Sequence, residues 1–425
     1  MNELDLGKQT LRKVAWRLIP FVCLLYVLNI LDRANVGFAR LQMQDDLGLS
    51  EATFNLGYGM FYLGYLIFEV PSNLLMRRVG ARLWIARIMI TWGVISSLTM
   101  FAHDQWTFYG LRVLLGIAEA GFFPGIILYL SYWFPNRERA KMTAFFMVAI
   151  GLASVFGNPI SGFIMQYLDT TAGLHGWQWL FLLEGIPSMM LGVVVYFFLT
   201  DYPKDAQWLA DQEREWLVAH MQHEQQQRQQ LHNADHLSAI LHWRVWWLIA
   251  IYFTVAVGTN AGGAYFPKLI KAQFAELTTF QIGLLSAIPH VCSVVGMSLM
   301  GISSDRSNER RMHLAAAALL AAVGWSLAAW NPSPVLALLG LCVAQTGMMS
   351  MLPVFWTLPT AFLTGAAAAG GIAMINSVAN IGGFFGATIL GGFGLWSMAA
   401  ILLVGAILSI ALQEKPHRSP STSNF

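Results

Sequence analysis

Charge is what this chain has least of. Only 11% of its 425 residues are Asp, Glu, Lys or Arg, where a soluble domain carries roughly a quarter, and 56% are apolar with a mean hydropathy of +0.55. So few charges cannot cover a water-facing surface, and the chain reads as a polytopic membrane protein. Cysteine is scarce too. Cys23, Cys292 and Cys342 stand apart in apolar stretches with no pairing or metal spacing, and read as small buried hydrophobes. The histidines form no i, i+4 ligand set, so neither a metal nor a cofactor is expected. The apolar stretches hold no nucleophile–base set, which argues against an enzyme. No basic run supports nucleic-acid binding, and the net charge is only +2. No cleavable signal precedes the first apolar stretch, and its flank of Lys8, Arg12, Lys13 and Arg17 is the kind that holds an N terminus in the cytoplasm.

What is present is length. Windows of about 20 apolar residues fall near 18–40, 53–76, 83–102, 106–134, 142–168, 178–200, 245–267, 279–303, 312–330, 334–363, 366–392 and 394–412. Of the 25 Lys and Arg, only Arg40, Lys268 and Lys271 fall on the predicted outer side, with Arg33 and Arg112 inside spans. This bias places both termini in the cytoplasm of a multi-pass cell-membrane protein, the bacterial inner membrane. A polar insert between spans six and seven divides the twelve into six plus six. The expected organisation is an N-terminal six-helix bundle at 1–200, a cytoplasmic linker at 201–242 with a surface-lying helix, a C-terminal six-helix bundle at 243–413 and a tail at 414–425. A faint repeat supports the division. Gly301-Ile-Ser-Ser-Asp305-Arg306 follows span eight where Asn73-Leu-Leu-Met-Arg77-Arg78-Val-Gly80 follows span two. The fold class is therefore an all-α membrane protein, twelve helices in two parallel halves around a central site, as in the major facilitator layout.

Charges inside such spans cost about 2.5–3.5 kcal/mol each even on lenient insertion scales, so they face a protein interior and carry function. In span one Tyr26, Asn29 and Arg33 recur at i, i+3, i+7, with Asp32 at the edge of that stripe. Asp32 and Arg33 point about 100° apart and do not readily pair with each other, so each calls for a partner from another helix or from a ligand. Span four holds Arg112 and Glu119 on one face, two turns apart, with Gly116 between them to admit a neighbouring backbone. Two acids beside two bases suit an anion site with proton-titratable groups. Glu69, ahead of Pro71, reads as a gate or helix contact, and Glu184 is a weaker coupling candidate. The second half offers Gln345, Trp356, Asn376 and Asn380, with Pro353 and Pro359 marking a bend around Trp356. Asp305 and Arg306, with Glu309 in the same loop, are read as a cytoplasmic latch.

Leu31-Asp32-Arg33-Ala34-Asn35-Val36-Gly37-Phe38-Ala39 resembles the first-helix motif of the anion:cation symporter family within the major facilitator superfamily, and Glu69-Val-Pro-Ser-Asn73, Arg112–Pro135 and Phe355-Trp356-Thr-Leu-Pro resemble it as specifically. The likeness covers nearly the whole chain. It implies proton-coupled import of a small carboxylate, such as a sugar acid, a tartrate-like acid or an aromatic acid, by a monomer working through alternating access. By resemblance Asp32 and Glu119 match protonatable acids. Arg33 and Arg112 match arginines at the substrate carboxylate and in the coupling network, and Trp356 and Asn376 match substrate-lining positions. The loop after span two departs from the superfamily signature, with Arg77 in place of its acid, and the link between spans eleven and twelve is unusually short. The alternatives are a proton-driven exporter and a non-transporting membrane sensor. The sensor lacks an output domain, because 201–242 is too short and polar for one.

Overall fold

The computed structural model describes residues 3–230, 243–330, 333–362, 371 and 374–412. The expected tail 414–425, the later part of the linker (231–242) and the division between spans ten and eleven lie outside them. All the described secondary structure is helical. Helix α1 (Glu3–Asp46) runs unbroken for 44 residues, far beyond the expected span. Helix α2 (Glu51–Val79) starts at Ser50, whose hydroxyl accepts the Thr53 N–H. Helix α3 (Ala81–Leu98) begins after Gly80 and is capped from a distance, because Asp201 Oδ1 accepts the Arg82 N–H at 2.8 Å. An acid at a helix N terminus is favourable, so Asp201 supplies one beside the α2–α3 link; Arg77, expected in that loop, stands in the last turn of α2.

The fourth stretch, expected as one helix, is two: α4 (Gln105–Glu119) and α5 (Phe122–Trp133). The chain breaks at Ala120–Gly121, where Gly121 has φ +87°, a conformation that residues with a Cβ rarely adopt. Pro124 follows in the first turn of α5, where a missing N–H costs nothing. Glu119 is thereby the last residue of α4. Helices α6 (Asn136–Tyr167) and α7 (Gly176–Phe198) complete the first six spans.

The linker forms α8 (Asp211–Gln230), which lies on α1: Lys13 Nζ meets Glu213 Oε2 at 2.8 Å, and Trp208 ahead of it stacks on Trp133. Then come α9 (Trp243–Gln273), α10 (Thr279–Ser307), α11 (Arg311–Trp330) and α12 (Pro334–Phe355). The short α13 (Thr357–Phe362) follows an interruption at Trp356, between the two prolines that predicted a bend. Helix α14 (Ile381–Phe393) ends the described stretch Met374–Phe393, and α15 (Leu395–Ala411) follows. Only Gly394, with φ +72°, separates them, which accounts for the short final link.

Among the described residues nine helices are long and apolar enough to cross a membrane. Large apolar side chains crowd the outward surface along the spans, with Phe197 and Phe393 each 78% exposed, a surface that water would not tolerate. Exposed tryptophans ring both ends: Trp16, Trp243 and Trp246 at one, Trp106, Trp330 and Trp396 at the other, as at the two interfaces of a bilayer.

Within the first half α3 packs on α7, α2 on α4, and α1 on α6 and α7; within the second, α11 packs on α12 and α15, and α9 on α14. The halves meet through α6 with α10, α2 with α14 and α1 with α9. Counted as spans these pairs are five with eight, two with eleven and one with seven, the pairing that an axis relating span n to span n+6 requires. Small residues bring the backbones close. A Cβ on Gly162 would lie 2.8 Å from Thr279 O, and one on Gly283 would lie 2.6 Å from Asn158 O.

Candidate functional site

The centre of the molecule is built on the Arg33–Glu119 pair. The α4 break leaves Glu119 facing α1, where Arg33 Nε donates to Glu119 Oε1, and Asn29 of the predicted stripe stands beside the same carboxylate. Arg33 is therefore anchored, while its Nη2 is buried with no hydrogen-bond acceptor. Its guanidinium lies 4.9 Å from the Tyr65 ring centroid and 5.3 Å from that of Phe61. These cation–π contacts hold it without consuming its donors.

Arg112 does not touch Glu119. It lies nearer the end that carries Asp46 and Glu51, 2% exposed, with Phe61 and Tyr58 against its guanidinium. Its Nη2 reaches Tyr58 O only at 3.5 Å, and its Nε and Nη1 have no acceptor. Gly116 does what its position predicted: α2 crosses so closely that a Cβ there would strike the Phe61 carbonyl. That crossing puts Phe61 between the two arginines.

Asp32 points away from both. It is fully buried, and its oxygens accept from Ser96 Oγ at 2.6 Å, Trp92 Nε1 at 2.8 Å and Ser188 Oγ at 2.8 Å. Its partners are thus neutral donors of α3 and α7 rather than a cation. The 100° offset between neighbours on one helix has sent Asp32 and Arg33 into separate environments.

Tyr26 packs by stacking on Phe146, with ring centroids 4.3 Å apart. Across the boundary Tyr252 lies edge-on to Trp356 at 5.0 Å. Tyr62 of α2 donates to Asn260 of α9. Asn376 does not stand free: its Nδ2 donates to Glu69 Oε1 at 2.9 Å, and Ser377 Oγ donates to Glu69 Oε2 at 2.8 Å. Arg33, Glu119, Tyr26, Asn29, Trp356 and Asn376 are therefore gathered at the junction of the halves, with Arg112 one layer beyond and Asp32 behind α1.

The latch residues lie elsewhere. Asp305 and Arg306, expected in a loop, stand in the last turn of α10; Asp305 pairs with Arg310 of the link to α11 at 2.6 Å, and Glu309 caps α11 by accepting the Met312 and His313 N–H groups. Arg306 is exposed.

Sequence reasoning missed Tyr62, Tyr65, Tyr252, Asn260 and Ser377. Tyr58, Tyr62 and Tyr65 recur at i, i+4, i+7, a stripe as regular as that of span one. In a chain where 13% of residues are aromatic it did not stand out.

A family model described as the Major Facilitator Superfamily matches residues 22–387. The chain belongs to the Major Facilitator Superfamily. A relative from Agrobacterium vitis, named "Putative tartrate transporter", is 46% identical, covering 98% of this chain and 94% of its own length. A "Quinolone resistance transporter" from Acinetobacter baumannii is 38% identical over 98% of this chain and 97% of its own. Among solved structures, the xylose transporter XylE of E. coli in its inward-open conformation superposes with a TM-score of 0.75 at 18% identity, over 95% of this chain and 98% of that one. At that identity the match speaks for the twelve-helix, two-bundle superfamily fold alone.

Proposed function

We propose that this superfamily member imports a small organic anion together with protons, and that a tartrate-like hydroxy diacid is the substrate class. The observation that carries the reading is the arginine pair. Two guanidiniums, Arg33 half-buried at the junction and Arg112 buried one layer beyond, share the region with one carboxylate, Glu119, which engages Arg33 alone, and Arg33 Nη2, Arg112 Nε and Arg112 Nη1 are left without acceptors. A buried cation with unfilled donors is stabilised by an anion that fills them. The name of the Agrobacterium relative supports a diacid.

In this reading the substrate carboxylate and Glu119 compete for Arg33. Protonation of Glu119 releases Arg33 Nε to the substrate, and loss of that proton returns Arg33 to Glu119 and expels the cargo. Trp356, Tyr252, Asn260 and Asn376 would line the other side of the bound acid. The halves 1–200 and 243–413 rock about this point, with 201–242 strapping them on the cytoplasmic side and both termini there. The contacts between halves support an inward-facing conformer: Arg40, Glu51, Asn55, Tyr265 and Lys268 join α1, α2 and α9 at the opposite end.

The test is uptake of labelled tartrate by proteoliposomes carrying the purified chain. An inside-alkaline pH gradient should drive accumulation, and a protonophore should abolish it. Uptake indifferent to both would sink the coupling. Export is the second reading, favoured by the quinolone-resistance relative; it requires inside-acid vesicles to accumulate a quinolone in exchange for outgoing protons while tartrate stays unbound.

A further inference from the structure

Glu184 takes no part in the site above, yet it is an acid buried at membrane depth, 6% exposed. Its Oε1 accepts from Ser161 Oγ at 2.8 Å, and its Oε2 is enclosed without a hydrogen-bond partner, with Asn35 beside the carboxyl. The helices packed on α7 present to it Ser161 from α6, and Asn35 and Asp32 from α1. Asp32 is the ionisable group among them, and it is of like charge. An ionised Glu184 would leave a bare anion in a low-dielectric interior, whereas the neutral acid needs no counter-charge and gains an O–H to donate. Asn35 Oδ1, buried beside it without a donor, supplies the acceptor.

The same asparagine reaches the second acid. Asn35 Nδ2 lies 3.5 Å from Asp32 Oδ1, one turn along α1. On α7 the relation repeats, since Ser188, which binds Asp32, is one turn from Glu184. Glu184 therefore sits about 6 Å beyond Asp32, toward the end that carries Asp46 and Gly176, the outer end in the reading above. Among the described residues no other acid on α1, α3, α6 or α7 is buried between Asp32 and that rim.

We propose that Glu184 is the outer proton carrier that charges Asp32. In each cycle the proton leaves Glu184 Oε2 and comes to rest on an Asp32 oxygen. Asp32 becomes the neutral acid, and Glu184 becomes a carboxylate that takes its next proton from the outer compartment. Asn35 aligns the two groups and carries no proton itself. Nothing is consumed beyond the proton that the coupled cycle already moves, so the proposal rests on the proton-coupled reading and deepens it.

Glu184→Gln separates this role from a structural one. Gln is of the same shape, keeps an acceptor for Ser161 and keeps a donor for Asn35, so a Glu184 that merely holds helices together tolerates the change. Wild type and variant are purified at full length and reconstituted, and labelled tartrate serves as the probe. The quantity read is the ratio of uptake under an inside-alkaline gradient to exchange at equal pH, and it should fall at least about tenfold in the variant. Infrared spectra of both proteins without substrate should differ by one protonated-carboxyl C=O band. A responsive wild type matched by an equally responsive variant, with superimposable infrared spectra, overturns the relay and leaves proton coupling intact. A wild type whose tartrate uptake ignores the gradient overturns the coupling itself and the relay with it.

Discussion

Glu69 of α2 and Asn376 of the eleventh span share a hydrogen bond of 2.9 Å across the boundary between the halves, and Ser377 doubles it on the other oxygen. Asn376 is thus committed to a protein carboxylate in this conformer. On the proposed function, a substrate that engages Asn376 must break the link.

Removing both acceptors in Glu69→Ala should therefore destabilise this conformer by about 1–3 kcal/mol, the cost of stranding buried donors. Glu69→Gln keeps one carbonyl acceptor and should lose less. Thermal unfolding of the purified proteins measures the order. Equal losses for the two variants would mean that packing around Glu69, rather than its two hydrogen bonds, holds spans two and eleven together.

Arg33→Lys should weaken tartrate binding by about 1.5–3 kcal/mol, roughly ten- to a hundredfold. Arg33 divides its donors, with Nε on Glu119 and Nη2 unfilled. A single ammonium cannot do both in the planar geometry that a carboxylate favours. Calorimetric titration of the purified variant with tartrate checks this. Near wild-type affinity would place the substrate carboxylate on another residue, Arg112 being the first to try.

Glu119→Gln should retain exchange of labelled for unlabelled tartrate and lose accumulation driven by a pH gradient. Gln mimics the protonated acid, so Arg33 is always released and the loaded carrier still reorients, but without a Glu119 carboxylate to retake Arg33 the cargo is not expelled, and the proton on Asp32 alone does not complete the cycle. Gradient-driven accumulation persisting in reconstituted Glu119→Gln would reduce Glu119 to a structural partner of Arg33.

Acid outside should loosen the closed outer end. Lys268 Nζ meets Glu51 Oε1 at 3.0 Å, Tyr265 OH donates to it at 2.9 Å, and Arg40 Nη2 lies 3.4 Å away. Burial raises the Glu51 pKa, but these hydrogen bonds and the charges of Lys268 and Arg40 outweigh it and hold the carboxyl below its ordinary value. A group whose pKa is depressed in the closed form stabilises that form above its ordinary pKa, and the contribution is lost as pH falls through the depressed one. Outer-end opening, read as the distance between spin labels on the outer ends of α2 and α9, should increase below the ordinary carboxylate range. Glu51→Gln should flatten that response.

How much of this was legible in the sequence follows from what each signal encodes. Span positions depend on hydropathy alone, and observed helices such as Ala81–Leu98, Gly176–Phe198 and Arg311–Trp330 fall close to the expected windows. The dyad of Pro353 and Pro359 marked the interruption at Trp356, because proline acts locally. The break after Glu119 was hidden, since Ala120 and Gly121 are compatible with an apolar helix until tertiary packing selects the positive φ. Partners were the least legible. The stripe containing Arg33 and Asn29 came from helical periodicity, but the choice of Glu119 for Arg33, and of Trp92, Ser96 and Ser188 for Asp32, depends on how α1, α3, α4 and α7 are rotated against one another. The Glu69–Asn376 link joins residues 307 apart in sequence, and no local pattern encodes it.

The charge balance of the cycle gives the last test. An anion is driven outward by an inside-negative membrane, at about 2.3 kcal/mol per charge per 100 mV. With Asp32 and Glu119 each moving one proton, a dianion such as tartrate enters with two protons and no net charge, while a monocarboxylate enters with a net positive one. Glu184, feeding Asp32 and being recharged from outside, adds nothing over a full turn. Solid-supported-membrane recordings should therefore show near-zero steady current on adding tartrate at pH 7, and an inward positive current for any monoacid that is carried. Asp32→Asn leaves one proton per cycle, so tartrate entry should become net negative and be slowed by an inside-negative potential that wild type ignores. A monoacid taken up by wild type with no current would show that one proton moves per cycle, and would remove either Asp32 or Glu119 from the coupling.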